Sequence, residues 1–196
     1  MEKKESEKDK MLRGEWYDAN YDENLLNERK DCLKRCEDFN REGQTDEQRA
    51  EALQRLLPNL GQRTVVLPPL RCDYGYNIRT GADCFVNYNT TLLDAAPITL
   101  GNNVFVGPDC GFYTAIHPLD AKRRNDGLER ALPITLGNNV WIGGHTTILP
   151  GVTIGDGSVI GAGSVVTRNI PPHVVAVGNP CRVLKPIADG KTTTEE

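Results

Sequence analysis

The sequence predicts a mainly β protein in which short strands wind into a parallel solenoid behind an N-terminal helical segment. Three observations predict this fold: an aliphatic residue at every sixth position, glycine or asparagine between these positions, and two helix-like stretches before the repeat. A period of six fits neither an amphipathic helix nor an alternating strand. Six residues form a short strand and a corner, so three such units close one coil of ~18 residues. Because a single coil cannot bury its inner face, several coils must stack.

The helical segment is predicted over residues 11–60. Apolar residues at helical spacing predict a first helix from Asp22 to about Arg41. The stretch Thr-Asp-Glu-Gln, which begins at Thr45, is a capping box and predicts a second helix that stops at Pro58. We expect this helical pair to pack against the solenoid.

The solenoid is predicted over residues 61–185, and its repeat is most regular from Ile134 to Val166. Small or β-branched residues stand two places before each aliphatic residue and are expected to pack beside it. Glycines such as Gly137 and Gly143 follow the aliphatic residue directly. We expect Gly or Asn to take the corner position with positive φ, where a Cβ is costly. The aliphatic column comprises Leu100, Val106, Leu136, Ile142, Ile148, Ile154, Ile160 and Val166.

One segment interrupts the repeat and is predicted to form an extruded loop over residues 112–132. It has no sixfold pattern, carries many charges, and contains His117, one of three histidines in the chain. Long excursions from a regular scaffold often carry function. By composition alone, a solvated insertion without chemistry explains the segment equally well.

The composition limits the function classes. A formal net charge of -4 argues against a broad nucleic-acid surface. No apolar run is long enough to span a bilayer, and the charged head at residues 1–10 does not resemble a signal peptide, so we expect a soluble, cytoplasmic protein. We also expect this head and a tail at residues 186–196 to be disordered or flexible. The six cysteines form no CxxC pair, which favours buried reduced thiols, with no metal and no permanently bound cofactor.

Several stretches resemble one family. The hexapeptide column is similar to that of the left-handed parallel β-helix acyltransferases. The stretches "RCDYGYNI", "LDAAPITLG", "YTAIHPLD", "PGVTIGDGSVIGAGSVVT" and "GNPCRV" resemble the maltose, galactoside and nodulation-factor O-acetyltransferases, and "MLRGEWYDANYDENL" resembles their entry segment. This resemblance implies left-handed coils and a homotrimer with active sites at subunit boundaries. It also implies transfer of an acetyl group from acetyl-CoA, as co-substrate, to a sugar or glycoside hydroxyl, with the 6-hydroxyl expected.

The resemblance also implies a catalytic residue. Transfer to a hydroxyl needs a base that takes its proton, and imidazole suits this task near neutral pH. A lone histidine is more often structural, but "TAIHP" matches the family's catalytic histidine and implies that His117 is the general base of a direct transfer without an acyl-enzyme. Asp94 and Glu129 are candidates to orient the imidazole or to bind the acceptor. Asp94 matches an acceptor-site Asp, whereas the match of Glu129 is looser and favours a solvated surface acid.

Three further acceptor-binding candidates follow from the same resemblance. Asn87 matches an acceptor-side Asn whose amide can both donate and accept, although a corner Asn is the alternative interpretation. Phe85 stands where galactoside enzymes carry Tyr, and Asp73 stands where some carry Ser. These two differences leave the identity of the sugar open.

The CoA-binding candidates lie later in the chain. The family's tryptophan lines the CoA groove, a backbone N–H at the matching glycine faces the thioester, and two cations are placed to meet phosphates. Ordinary surface charge is the alternative interpretation of both cations. The candidates are Trp141, Gly144, Ala162, Thr167, Arg168, Arg182 and Lys185.

Three other functions are compatible with a solenoid of this kind, but not equally with this sequence. An antibiotic O-acetyltransferase of the same fold and a non-catalytic solenoid scaffold remain alternatives. A carbonic anhydrase on a similar solenoid needs a close pair of histidines for its metal, and the spacing of His117, His145 and His173 does not provide one.

Overall fold

The computed structural model describes residues 5–187, which form four helices and nineteen short strands. The helices are α1 (Glu7–Leu12), α2 (Glu23–Asn40), α3 (Asp46–Leu56) and α4 (Ala121–Asn125). The strands are β1 (Tyr17–Asp18), β2 (Val65–Val66), β3 (Leu70–Cys72), β4 (Ile78–Thr80), β5 (Phe85–Val86), β6 (Thr90–Leu93), β7 (Ile98–Leu100), β8 (Phe105–Val106), β9 (Gly111–Tyr113), β10 (Ala115–Ile116), β11 (Leu128–Ala131), β12 (Ile134–Leu136), β13 (Trp141–Ile142), β14 (Thr147–Ile148), β15 (Thr153–Ile154), β16 (Val159–Ile160), β17 (Val165–Val166), β18 (Val174–Val177) and β19 (Arg182–Pro186). Within these residues, no helix combines the length and apolar character that crossing a bilayer requires.

Most strands wind around three faces of a solenoid. Corresponding strands of successive coils pair in parallel: Leu100 in β7 pairs with Leu136 in β12, and Val106 in β8 pairs with Ile142 in β13. The predicted parallel solenoid is therefore confirmed. The seven-stranded face has the order β19-β18-β16-β13-β8-β5-β2, the five-stranded face β17-β14-β9-β6-β3, and the four-stranded face β15-β12-β7-β4.

The aliphatic column forms the core inside the coils. Ile148 and Val166 are fully buried. The small polar residues two places earlier are buried beside them, and their hydroxyls donate to backbone carbonyls at the corners: Thr146 Oγ1 to Gly143 O at 2.7 Å and Ser164 Oγ to the oxygen of Gly161 at 2.5 Å. Burying these hydroxyls therefore leaves no unmet hydrogen bond.

Glycine occurs at two distinct positions of the corners. Positive φ falls three places after the aliphatic residue, at Asn139, Gly157 and Gly163, and not on the glycine that follows it directly. That glycine is required by close stacking, since a Cβ on Gly143 would lie 2.5 Å from the backbone nitrogen of Ala162 in the next coil. Glycine is therefore favoured at the two positions for different physical reasons.

The predicted helical pair is confirmed as α2 and α3. Asp22 caps α2, and Thr45 and Gln48 form the capping box of α3. Apolar residues of both helices share one buried cluster with the first coil, including Phe39 and Leu56. The helices thus close the N-terminal end of the solenoid.

The chain ends differ from the prediction in part. Residues 7–10, expected to be disordered, lie in α1, because Ser6 accepts a hydrogen bond from the backbone N–H of Asp9 and caps the helix. Residues 1–4 of the head and 188–196 of the tail lie outside the described residues. Residue Pro186 of the predicted tail ends β19, which pairs antiparallel with β18.

The predicted loop is an ordered arm with different bounds. Its first two residues belong to β9, and after them β10 and β11 pair antiparallel around the short helix α4. Strand β1 adds to the other edge of β11, with Tyr17 opposite Glu129. This pairing with a distant segment leaves no sixfold pattern, which explains why the sequence indicated only a loop.

Candidate active site

The corner between the five-stranded and four-stranded faces carries extra residues in three successive coils. They lie at 73–77, 94–97 and 114–133, whereas the next coil turns the same corner within 149–152. With the N-terminal segment, these extensions enclose a cavity of about 270 Å³, which we call the corner pocket. It is lined by Ala19, Asn20, Arg29, Asp73, Tyr74, Leu93, Ala95, Ala115, His117 and Glu129.

His117 lies at this pocket with its side chain half exposed. Its Nδ1 is 3.4 Å from the carbonyl oxygen of Leu128, and its Nε2 is 3.6 Å from Oε2 of Glu129. The second distance is too long for a hydrogen bond but close enough for a carboxylate to stabilise a positive imidazolium. When Nδ1 donates to Leu128, Nε2 carries the lone pair that can accept a proton.

Glu129 is held in place by a buried tyrosine. The Tyr17 hydroxyl donates to Oε1 of Glu129, leaving Oε2 towards His117. Only 14% of the Glu129 side chain is exposed, so the prediction of a solvated surface acid is wrong. Burial, followed by the charge of Glu129, raises the pKa of Tyr17, which therefore stays a hydrogen-bond donor at neutral pH.

Asp94 requires a second correction. Its side chain is fully buried, and its two oxygens accept backbone N–H bonds from Asp73, Tyr74, Gly75 and Asn77 at 2.8–3.3 Å. In this structure it therefore lines no part of the corner pocket and makes no hydrogen bond with His117. Its role is to hold the 73–77 turn, which presents Asp73 and Tyr74 to the corner pocket.

Asp73 carries an altered carboxyl group. Burial raises its pKa to about 7, and the negative charges of Asp94 and Glu129 act in the same direction. Near neutral pH this side chain is partly protonated and can donate as well as accept a hydrogen bond.

Sequence reasoning missed the cation of the corner pocket. Arg29, on α2, donates to the hydroxyl of Tyr74 at 2.8 Å and to the carbonyl of Ala19 at 2.5 Å. Arg29 lies within the helix predicted from Asp22 to about Arg41, where a single cation has the same sequence pattern as a charge on a solvated helix face.

The structure places Phe85 and Asn87 on a different face from His117. They line a groove of about 400 Å³ on the seven-stranded face together with Trp141, whose side chain is 56% exposed. The register aligns Phe85, Phe105 and Trp141 as one outward row across β5, β8 and β13. Within one chain, the acceptor candidates therefore fall into two groups.

The other CoA-binding candidates lie towards the C-terminal end. Lys185 lies in line with Trp141 through β16 and β18, and Arg182 is on the same strand, where its Nη1 donates to the carbonyl of Cys181. Gly144 is the second residue after β13. Ala162, Thr167 and Arg168 are exposed near β16 and β17.

Two family models match the chain. Residues 133–168 match the bacterial transferase hexapeptide model (six repeats), and residues 10–61 match the maltose acetyltransferase hexapeptide capping motif. A Staphylococcus aureus (strain MRSA252) protein named "Putative acetyltransferase SAR2635" is 50% identical over 183 residues, covering 93% of this chain and 92% of its own.

Solved structures are similar over nearly the whole chain. A maltose O-acetyltransferase from Clostridium difficile 630 is 49% identical, with a TM-score of 0.91 and coverage of 95% of this chain and 100% of its own. A galactoside acetyltransferase in complex with coenzyme A is 38% identical, with a TM-score of 0.89 and coverage of 94% and 92%. The chain belongs to the maltose and galactoside O-acetyltransferase family of hexapeptide-repeat acyltransferases.

Membership of this acetyltransferase family accounts for the fold. The predicted left-handed β-helix is confirmed, with α1, α2 and α3 formed largely by the maltose acetyltransferase capping motif. The same motif contributes Arg29 to the corner pocket and supplies Tyr17, whose hydroxyl holds Glu129. The capping segment of this acetyltransferase thus closes the solenoid and builds part of the candidate site.

Proposed function

We propose that this acetyltransferase moves an acetyl group from acetyl-CoA to a hydroxyl of a sugar or glycoside, at the 6-position, with His117 as general base. The observation that carries the proposal is the half-exposed imidazole of His117 at the corner pocket, beside the anchored carboxylate of Glu129. The family membership and the maltose and galactoside enzymes among its solved relatives support the acceptor class.

The chemistry follows from the groups at the pocket. Nε2 of His117 takes the proton of the acceptor hydroxyl while its oxygen attacks the acetyl carbonyl carbon. The carbon–sulfur bond then breaks, and the CoA sulfur receives the proton from the imidazolium. Glu129 stabilises the imidazolium between these steps, and Tyr17 keeps the carboxylate oriented.

The polar lining of the pocket supports a polyol acceptor. Arg29 offers charged donors, and Asp73, with its pKa of about 7, can both donate and accept. A sugar hydroxyl needs both kinds of partner, and leaving a buried partner unmet costs free energy. An apolar antibiotic would leave these groups unpaired.

We place CoA along the groove of the seven-stranded face. Trp141 offers an apolar surface for the pantetheine arm, and Arg182 and Lys185 on β19 lie at one end of the same sheet, where they can meet phosphates. The backbone N–H of Gly144 is proposed to polarise the thioester carbonyl. Coenzyme A bound to the related galactoside acetyltransferase supports this donor.

The separation of the two groups of candidates supports a homotrimer. His117 and Asp73 belong to the corner pocket, whereas Phe85 and Asn87 lie on the seven-stranded face. We propose that a second chain brings its seven-stranded face to the corner pocket, so that each site uses residues of two chains. A cytoplasmic location stays a prediction.

The proposal is tested by CoA release from acetyl-CoA with maltose, glucose, galactosides, chitooligosaccharides and an antibiotic as acceptors. We expect turnover on a sugar, and a fall of about 10²–10⁴ in His117→Ala, with little change in CoA binding, because only the proton transfer is lost. His173→Ala, an exposed histidine far along the chain, is the matched control.

The other outcomes separate the alternatives. Turnover only on the antibiotic would mean that the acceptor is an antibiotic and not a sugar. An unchanged rate in His117→Ala would mean that His117 is not the general base. Failure of the protein to bind CoA would favour a non-catalytic scaffold.

A further inference from the structure

Three cysteines from distant parts of the chain meet where α2 packs on β3. Cys32 and Cys36 lie one helical turn apart on α2, and Cys72 ends β3. Sγ of Cys72 is 3.6 Å from Sγ of Cys32 and 3.8 Å from Sγ of Cys36, and all three sulfurs lie within 4.8 Å of one another. The six cysteines of the chain are free thiols, and these three form a cluster, which we call the thiol triad.

The separations in the thiol triad suit a shared metal ion. Thiolates bound to one ion at about 2.3 Å stand about 3.8–4.0 Å apart in tetrahedral or trigonal geometry. The two distances to Cys72 differ from these values by a few tenths of an ångström. Since all three sulfurs lie within 4.8 Å of one another, small rotations of the side chains would bring them into one coordination sphere.

The surroundings also point to a bound ion. Cys32 and Cys36 are buried, so water has little access. The guanidinium of Arg35 faces Cys32, and the positive charge of Arg71 acts on Cys36. Nε of Arg35 is buried, and no group in residues 5–187 accepts its hydrogen. Two cations beside three thiols are suited to a centre that carries net negative charge.

We propose that Cys32, Cys36 and Cys72 bind one soft monovalent d¹⁰ ion, Cu(I), through three thiolates. Soft thiolate ligands select Cu(I) and zinc, but zinc in closed sites takes four ligands. Among the described residues, the cluster of candidate ligands ends at these three side chains. A three-coordinate ion needs no fourth.

The charges and protons balance. Three copper–sulfur bonds form, three S–H bonds break, and three protons pass to solvent. No electron is transferred. The resulting centre has a net charge of minus two, which the guanidinium groups of Arg35 and Arg71 offset. The site is independent of the proposed acetyl transfer, because none of its ligands lines the corner pocket.

The test uses the full-length protein, reduced and kept free of oxygen, with Cu(I) added against a competing Cu(I) chelator. We expect wild type to retain one ion per chain. Removing the ion from Cys32→Ala or Cys72→Ala should need a chelator concentration at least tenfold lower than for wild type. Cys110→Ala, which removes a buried thiol elsewhere in the solenoid, is expected to behave as wild type. X-ray absorption of the wild-type complex should show three sulfur ligands, a measurement that no misfolded variant can affect.

Three results would overturn the proposal. One is loss of copper from wild type at the same chelator concentration as the Cys32→Ala and Cys72→Ala variants. Another is an equal loss from Cys110→Ala, which would mean non-specific thiol binding. The last is an absorption spectrum with two sulfur ligands, or with nitrogen or oxygen ligands. Zinc retained more tightly than Cu(I), with a fourth non-sulfur ligand, would likewise replace the proposed ion.

Discussion

Two neighbouring carboxyl groups at the candidate site have opposite environments. Asp94 accepts four backbone N–H bonds and organises a turn, while Asp73, one of the residues that turn presents, lies in the pocket without such donors to stabilise its charge. A carboxylate is stable in a protein interior only where donors replace water. The same residue type therefore serves as a structural anchor in one case and as a titratable group of the pocket in the other.

The raised pKa of Asp73 predicts how stability depends on pH. Its folded pKa is about 7 and its unfolded value is about 3.9, so the folded protein binds the extra proton between these values. The stabilising contribution is fully present below about pH 4 and is lost as the pH rises through 7. We expect Asp73→Asn to gain stability over wild type by on the order of 1–3 kcal/mol between pH 5 and pH 8, measured by urea unfolding.

The control for this experiment is Asp83→Asn. A hydrogen bond from Arg63 lowers the pKa of this exposed carboxyl. Removing its negative charge should therefore bring no gain in stability at high pH. A difference between Asp73→Asn and wild type that stays constant from pH 5 to pH 8 would show that Asp73 titrates normally.

At the scale of elements, each corner of the solenoid has a position for close stacking and a position for positive φ. Gly143 belongs to the first kind and Gly163 to the second. The first cannot accept a Cβ because another coil lies against it. The second accepts any residue that tolerates the left-handed conformation, as Asn103 and Asn139 do in equivalent places.

This difference predicts opposite results for two substitutions. Gly143→Ala should destabilise the protein by about 1–3 kcal/mol, because the added Cβ would lie 2.5 Å from the nitrogen of Ala162. Gly163→Asn should stay within about 0.5 kcal/mol of wild type, since φ is already +71° and open space surrounds the position. Urea unfolding of both variants measures the two changes in the free energy of unfolding. A larger loss in Gly163→Asn than in Gly143→Ala would contradict this assignment of the two positions.

The elements also show what the sequence could predict. The coils were predictable because each strand repeats a local pattern, and the capping box at Thr45 marked α3 through residues close in the chain. The corner pocket was less predictable, since an extension at a corner has no period. Asp94 was assigned to the acceptor site because an aspartate before a turn is identical in sequence whether its carboxylate binds a ligand or accepts hydrogen bonds from backbone N–H groups. The thiol triad depends on Cys72, which is distant in sequence from the other two cysteines.

At the scale of the whole molecule, the proposed sharing of each site between two chains makes a specific prediction for mixed oligomers. His117→Ala and Asn87→Ala should each be nearly inactive alone, because under this proposal each removes one side of every site. When the two variants are unfolded together and refolded at equal amounts, some sites combine an intact His117 from one chain with an intact Asn87 from another. Random assortment predicts activity at about one quarter of the sites.

CoA release by the jointly refolded mixture measures the fraction of sites that combine an intact His117 with an intact Asn87. Refolding each variant separately and mixing the products afterwards is the control, and it should show no recovery. Absence of recovery after joint refolding would place both residues in one chain's site and contradict the shared site.

The corner extensions have a consequence for how acceptor preference can diverge. The hydrogen bonds that hold the coils together lie on the three faces, whereas the corner pocket is built from segments between them. The segments 73–77, 94–97 and 114–133 can therefore lengthen, shorten or change in sequence while the pairing between the strands of the three faces is kept. The part of the proposed acceptor site that lies at the corners can therefore diverge between relatives without any change to the frame of paired strands.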